Sequence, residues 1–139
     1  MTEVHETGEF GSGADEVWKL VSDFGGMLEA LGVPVELSGP EGVGQERTIA
    51  MGPGDPTVER LEELDNDAHR LVYSIQSGPL PVTNYRSTMQ LSELAGGRTK
   101  LDWSSTFEPA EGFAEADAIN IVSGIYKGGI GGLQARFGA

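Results

Sequence analysis

Apolar and polar residues alternate with a period of two through the middle of this chain, and give way to a three-to-four spacing near residue 20 and again at the C-terminus. Val4 to Phe10 reads as a first strand. Ser12, with Asp15 three residues on, resembles a helix cap, and Val17, Leu20, Val21 and Phe24 keep helical spacing with Trp18 alongside, so a helix is expected from about Ala14. Gly25-Gly26 interrupts it before a second short helix that ends near Leu31-Gly32. Strands are then expected at Val35 to Ser38, Gln45 to Met51, Thr57 to Leu64, Arg70 to Ser77, Asn84 to Leu94 and Thr99 to Phe107, each bounded by Gly, Pro, Asn or Asp. Short links between them imply an antiparallel meander. Asp65-Asn66-Asp67 and Ala95-Gly96-Gly97 read as hairpin turns. The stiffer loops Gly52 to Pro56 and Gly78 to Pro81 fall at one common end of the sheet, because antiparallel connections alternate ends.

The C-terminal segment, from about Phe113 to Phe137, has the composition of an apolar helix but carries Gly124, Gly128, Gly129, Gly131 and Gly132. Each costs roughly 1 kcal/mol of helix propensity relative to alanine, so packing must offset the loss or the helix frays. Gly124, Gly128 and Gly132 lie four apart on one face, where a backbone, a large side chain or a bound molecule can come close to the helix axis. A sheet with one helix laid across it follows.

Alternation also sorts the strands into faces. Leu71, Tyr73 and Ile75 share one phase, as do Tyr85, Ser87, Met89 and Leu91, and Leu101, Trp103, Ser105 and Phe107. Carried to the earlier strands, the same rule puts Arg47 in phase with Ile49 and Met51, and Glu59 in phase with Leu61. Arg47, Glu59, Tyr73, Tyr85, Ser87, Trp103 and Ser105 are therefore expected to converge on one concave surface that is otherwise apolar. Charges on neighbouring strands facing a core need pairing, further hydrogen bonds or a ligand. Three readings of Arg47 and Glu59 stand open: a structural ion pair or rim position, a ligand contact, and acid or base chemistry. The aromatics either pack as core or line a cavity between sheet and helix.

Length and composition narrow the field. At 139 residues and 38% hydrophobic content, a single domain spanning 1–139 with one core is expected. The formal charge of −13 opposes electrostatic binding to nucleic acid or anionic membranes. With no cysteine and only His5 and His69, neither thiolate chemistry nor a zinc site is expected, and no metal or cofactor is assigned. His69, at a hairpin beside Asp67, is expected to be exposed. No secretory signal pattern and no membrane-spanning apolar run appear, and a cytoplasmic location is expected.

Several short motifs, in order along almost the whole chain, carry a resemblance. Glu16-Val17-Trp18, Phe24-Gly25, Val43-Gly44-Gln45-Glu46-Arg47, Val58-Glu59-Arg60-Leu61, His69-Arg70-Leu71, Asn84-Tyr85-Arg86-Ser87 and Thr99-x-Leu101-x-Trp103 resemble the START-like (Bet v 1-like, SRPBCC) superfamily, in its polyketide cyclase/dehydrase type 2 branch. The resemblance implies an α+β helix-grip fold: a seven-stranded curved antiparallel sheet around a long C-terminal helix, with two short helices after the first strand. Glu59-Arg60-Leu61, His69-Arg70-Leu71 and Asn84-Tyr85-Arg86-Ser87 are also similar to plant abscisic acid receptors. There, the residues matching Glu59 and Tyr85 help contact the ligand, Met51 to Asp55 matches a gate, and Gly78-Pro79 follows the strand that their latch opens. No lysine lies between Lys19 and Lys100, so the lysine that holds the hormone carboxylate in those receptors has no counterpart.

The leading expectation is a binding or carrier protein for a small hydrophobic or amphipathic molecule between sheet and C-terminal helix, contacted by Arg47, Glu59, Tyr73, Tyr85, Ser87, Trp103, Ser105 and Gly128. The alternatives are a cyclase, aromatase or dehydratase that uses Arg47, Glu59 and Tyr85, and a protein-interaction module built on the gate-like loops. The pairing of Glu59 separates the first two. A carboxylate held by Arg47 is a poor base at neutral pH, whereas a desolvated, unpaired one is suited to proton transfer.

Overall fold

The elements follow the order that the alternation predicts. A computed structural model describes residues 1–50 and 54–139. Strand β1 (Thr2–Phe10) leads into α1 (Ala14–Val21) and α2 (Gly26–Ala30). Strands β2 (Val35–Ser38), β3 (Glu46–Ile49), β4 (Thr57–Asp65), β5 (Arg70–Ser77), β6 (Val82–Leu94) and β7 (Arg98–Pro109) follow, and α3 (Glu115–Phe137) ends the chain. The seven strands form one antiparallel sheet in the order β1-β7-β6-β5-β4-β3-β2, so the meander runs from β2 to β7 and β1 closes against β7. This is the α+β helix-grip arrangement.

Period-two burial is cleanest in β7, where Thr99, Leu101, Trp103, Ser105 and Phe107 are buried and the residues between them are half-buried. The sheet curves through irregularities of register. Between Thr83 and Arg86 of β6 the pairing with β7 shifts, and Asn84 takes φ 52°, a left-handed conformation that asparagine tolerates better than most residues. Its side chain donates to Glu108 Oε2 at 3.2 Å. The next residue, Tyr85, is thereby turned into the core.

Helix α3 lies along β1, in the same direction. Thr2 Oγ1 donates to Glu115 Oε2 at 2.7 Å, Ser123 Oγ to Glu6 Oε2 at 2.6 Å and Gln134 Nε2 to the Glu9 carbonyl at 3.3 Å. At the far end, Gly11 N donates to the Gly138 carbonyl at 3.1 Å. Nine strand residues and 23 helical ones span similar lengths, about 30 and 35 Å, which lets the two run side by side. The fit depends on Gly8, because a Cβ there would overlap Ile130 of the helix.

Three local expectations are corrected. Ser12 does not cap α1: the N-cap is Gly13, and the Ser12 hydroxyl donates to the Phe137 carbonyl at 2.9 Å, tying the start of α1 to the end of α3. His69 is only 17% exposed in its side chain; its ring packs at a tilt against Trp18 with centroids 5.4 Å apart and meets Asp15 at 3.1 Å, because α1 packs over the hairpin turn. The C-terminal helix begins at Glu115, with Phe113 outside it. Of the gate-like segment Met51 to Asp55, residues 51–53 lie outside the described residues, as does the in-phase position of Met51.

Candidate functional site

Because α3 packs chiefly on β1, a space remains between it and the concave face toward β3, β4 and β5. A cavity of about 390 Å³ occupies that space. Its sheet wall is Arg47 and Ile49 from β3, Glu59 from β4, Tyr73 from β5, Tyr85 from β6 and Trp103 from β7. Val122, Ile125, Tyr126, Gly128 and Gly129 of α3 form the opposite wall, and Leu28, Leu31, Val33, Ala50 and Leu80 complete it. Of the residues expected from the sequence, Arg47, Glu59, Tyr73, Tyr85, Trp103 and Gly128 line this cavity. Ser87 and Ser105 are buried on the same face but do not line it.

Arg47 and Glu59 are direct cross-strand partners and are only 5% and 8% exposed. Arg47 Nε donates to Glu59 Oε1 at 2.8 Å, and Nη2 stands 2.7 Å from the same oxygen. Nη1 donates to the Phe24 carbonyl at 2.9 Å. The guanidinium also lies 4.1 Å from the Phe24 ring centroid and 5.0 Å from that of Tyr73, contacts that favour a cation. Pairing, a carbonyl acceptor and two aromatic rings together compensate for taking the guanidinium out of water. Glu59 Oε2 has no hydrogen-bond partner among the described residues.

Deeper in the face, hydroxyls form a chain whose direction follows from counting protons. Ser87 Oγ donates to the Ser104 carbonyl at 3.1 Å, so it can only accept from Trp103 Nε1, at 3.1 Å, and from the Tyr126 hydroxyl, at 3.0 Å. Tyr126, having given its proton to Ser87, accepts from Tyr85. Tyr85 in turn accepts from Tyr73, at a long 3.5 Å, and Tyr73 accepts from Trp103 Nε1 at 3.2 Å. Burial pushes the pKa of all three tyrosines up; Tyr73 and Tyr126 add to the effect at Tyr85, Tyr73 adds to it at Tyr126, and Glu59 adds to it at Tyr73 against the opposing pull of Arg47. At neutral pH these groups are donors and acceptors in their protonated form. Ser105 Oγ lies buried beside Tyr126 without a hydrogen bond of ordinary geometry.

Tyr126 is the residue that the sequence reading missed. It stacks on Trp103, with centroids 4.4 Å apart and planes 14° from parallel. The available signal was the buried helical row Ala118, Val122, Tyr126, Ile130 and Leu133, in which Tyr126 supplies the hydroxyl. Gly124, Gly128 and Gly132, four apart, lie on a different face of the helix from Tyr126. A Cβ on Gly124 or Gly128 would meet nothing within 4 Å, whereas one on Gly129 would sit 2.7 Å from the Trp103 ring and one on Gly132 2.7 Å from Leu31. Close approach to the sheet is therefore the role of Gly129, and Gly128 borders the cavity with room to spare.

Among the described residues, no group of three or more acidic or histidine side chains is placed to hold a metal ion. No helix is long and apolar enough to cross a membrane.

Comparison with known proteins agrees with this architecture. The protein XoxI from Bacillus cereus shares 34% identity with the chain; the match covers 99% of this chain and 96% of that one, with a TM-score of 0.89. A protein from Bacillus thuringiensis shares 33% identity over 98% of each chain, with a TM-score of 0.86. A protein from Thermobifida fusca shares 29% identity over 99% of this chain and 94% of its own, with a TM-score of 0.83. No curated protein matches the chain. The profile of the polyketide cyclase/dehydrase and lipid transport family matches residues 1–138, and with this sheet, this terminal helix and these relatives the chain belongs to that family.

Proposed function

We propose that the protein binds or carries a small, largely apolar molecule in the cavity between the sheet and α3. One observation carries this reading: a space of about 390 Å³, within the range of ligand pockets, has mostly apolar and aromatic walls and one concentrated polar feature, the Arg47–Glu59 pair with the Tyr73 and Tyr85 hydroxyls. The apolar wall supplies affinity, and the polar group orients the guest. Membership in a family whose description includes lipid transport is consistent with such cargo.

The pairing of Glu59 favours recognition over proton transfer. Its Oε1 is occupied by Arg47, and the neighbouring phenols hold their protons more firmly than free tyrosine does. Native mass spectrometry of freshly purified protein tests the proposal: a co-purifying small molecule, or saturable uptake of a hydrophobic fluorescent probe that Gly128→Leu blocks, is the expected result. Absence of both would overturn it.

A further inference from the structure

We propose that this cavity selects an uncharged apolar molecule bearing a hydroxyl or N–H donor, that Glu59 Oε2 accepts from that donor, and that carboxylate ligands are rejected. The inference rests on reading the cavity as a ligand site, and it concerns which chemistry that site takes.

Among the described residues Arg47 is the one cation in the cavity wall, and three of its five N–H groups are already engaged. Nε and Nη2 are directed at Glu59 Oε1, Nη1 at the Phe24 carbonyl, and the Phe24 and Tyr73 rings lie against the guanidinium. A carboxylate guest would have to displace Glu59 from Arg47 or lie beside it as a second anion in a largely apolar space, where the two like charges repel. The protein's charge of −13 further disfavours anions. An ammonium guest would leave a net positive charge in the cavity, because Arg47 and Glu59 already balance each other.

What the wall still offers suits a neutral polar group. Glu59 Oε2 is an acceptor without a partner among the described residues. Among the hydroxyls, the most loosely committed donor is Tyr73, whose bond to Tyr85 is at the 3.5 Å limit, while Tyr85 and Tyr126 each have a closer acceptor. Glu59 and Tyr73 stand on neighbouring strands and the same face, since Leu61, two residues on from Glu59, pairs with Tyr73. A ligand hydroxyl can donate to the first and accept from the second. A ketone or ether offers only an acceptor, and a hydrocarbon offers neither.

The test uses probes of one naphthalene skeleton: naphthalenemethanol, naphthoate, naphthylmethylammonium and methylnaphthalene, titrated calorimetrically into the intact protein at neutral pH. The alcohol is expected to bind at least about tenfold more tightly than either ion, and several-fold more tightly than the hydrocarbon. Tyr73→Phe, which keeps the Arg47–Glu59 pair, should weaken the alcohol several-fold and leave the hydrocarbon unchanged. Glu59→Gln should bring the alcohol and carboxylate to within about threefold of each other; if that variant does not fold, the wild-type ranking and Tyr73→Phe decide. Carboxylate or ammonium binding as tightly as the alcohol would overturn the inference. Equal binding of hydrocarbon and alcohol would also overturn it while leaving the cavity a ligand site, whereas no binding by any probe would remove both.

Discussion

Removing one partner of the Arg47–Glu59 pair leaves the other charged and nearly sealed from water, so single substitutions there should be far more damaging than surface changes. Arg47→Met is expected to destabilise the fold by about 3 to 5 kcal/mol in urea denaturation, and Arg47→Met with Glu59→Gln to recover part of that loss. Strictly additive effects would contradict the coupling. Both residues were legible in the sequence because alternation placed each in the apolar phase of its strand. Their partners were not. The Phe24 carbonyl that accepts from Arg47 lies 23 residues away, just after a helix, and no periodicity brings it there. The hydroxyl chain was half legible for the same reason: Tyr73, Tyr85, Ser87 and Trp103 alternate on strands, whereas Tyr126 comes from a helix whose rotation about its axis depends on packing against Gly8 and Trp103.

Within α3 the glycines divide into two kinds, and substitution separates them. Gly129→Ala places a methyl 2.7 Å from the Trp103 ring, which is held by its stack with Tyr126 and two hydrogen bonds. The expected loss is about 1 to 3 kcal/mol from overpacking. Gly128→Ala meets open space and should stabilise the helix by about 0.5 to 1 kcal/mol, visible as a raised thermal midpoint. Equal effects at the two positions would mean that the helix is rotated from the orientation described. The helix itself, the strands and the turns were legible from spacing and turn residues. Asp65 Oδ1, for instance, accepts from the amides of Asp67 and Ala68, as an Asx turn should. The role of Ser12 was not, because a serine before a helix looks the same whether its hydroxyl caps that helix or reaches the end of another.

Taken whole, the molecule collects all three of its tyrosines in one buried cluster, which makes phenol ionisation a report on the global fold. Burial raises all three folded-state values above the unfolded value of about 10. The unfolded chain therefore gives up these protons first as pH rises. Stability from this source is fully present below about pH 10 and is lost above it, by up to about 1.4 kcal/mol per pH unit for each tyrosine. In an alkaline titration the phenolate absorbance should rise together with the loss of circular dichroism; phenolate appearing in a still-folded protein would contradict the burial. A different consequence follows from the placement of β1 beside β7. Of the seven strands β1 is made before the others, and it finds its sheet neighbour only after Pro109 has been added, about a hundred residues later, or roughly 5 to 20 seconds at ordinary rates of synthesis. Throughout that wait Thr2–Phe10 is an unpaired strand, and Glu3, Glu6 and Glu9, spaced along its length, supply the charge that keeps such a segment from pairing with a neighbouring nascent chain.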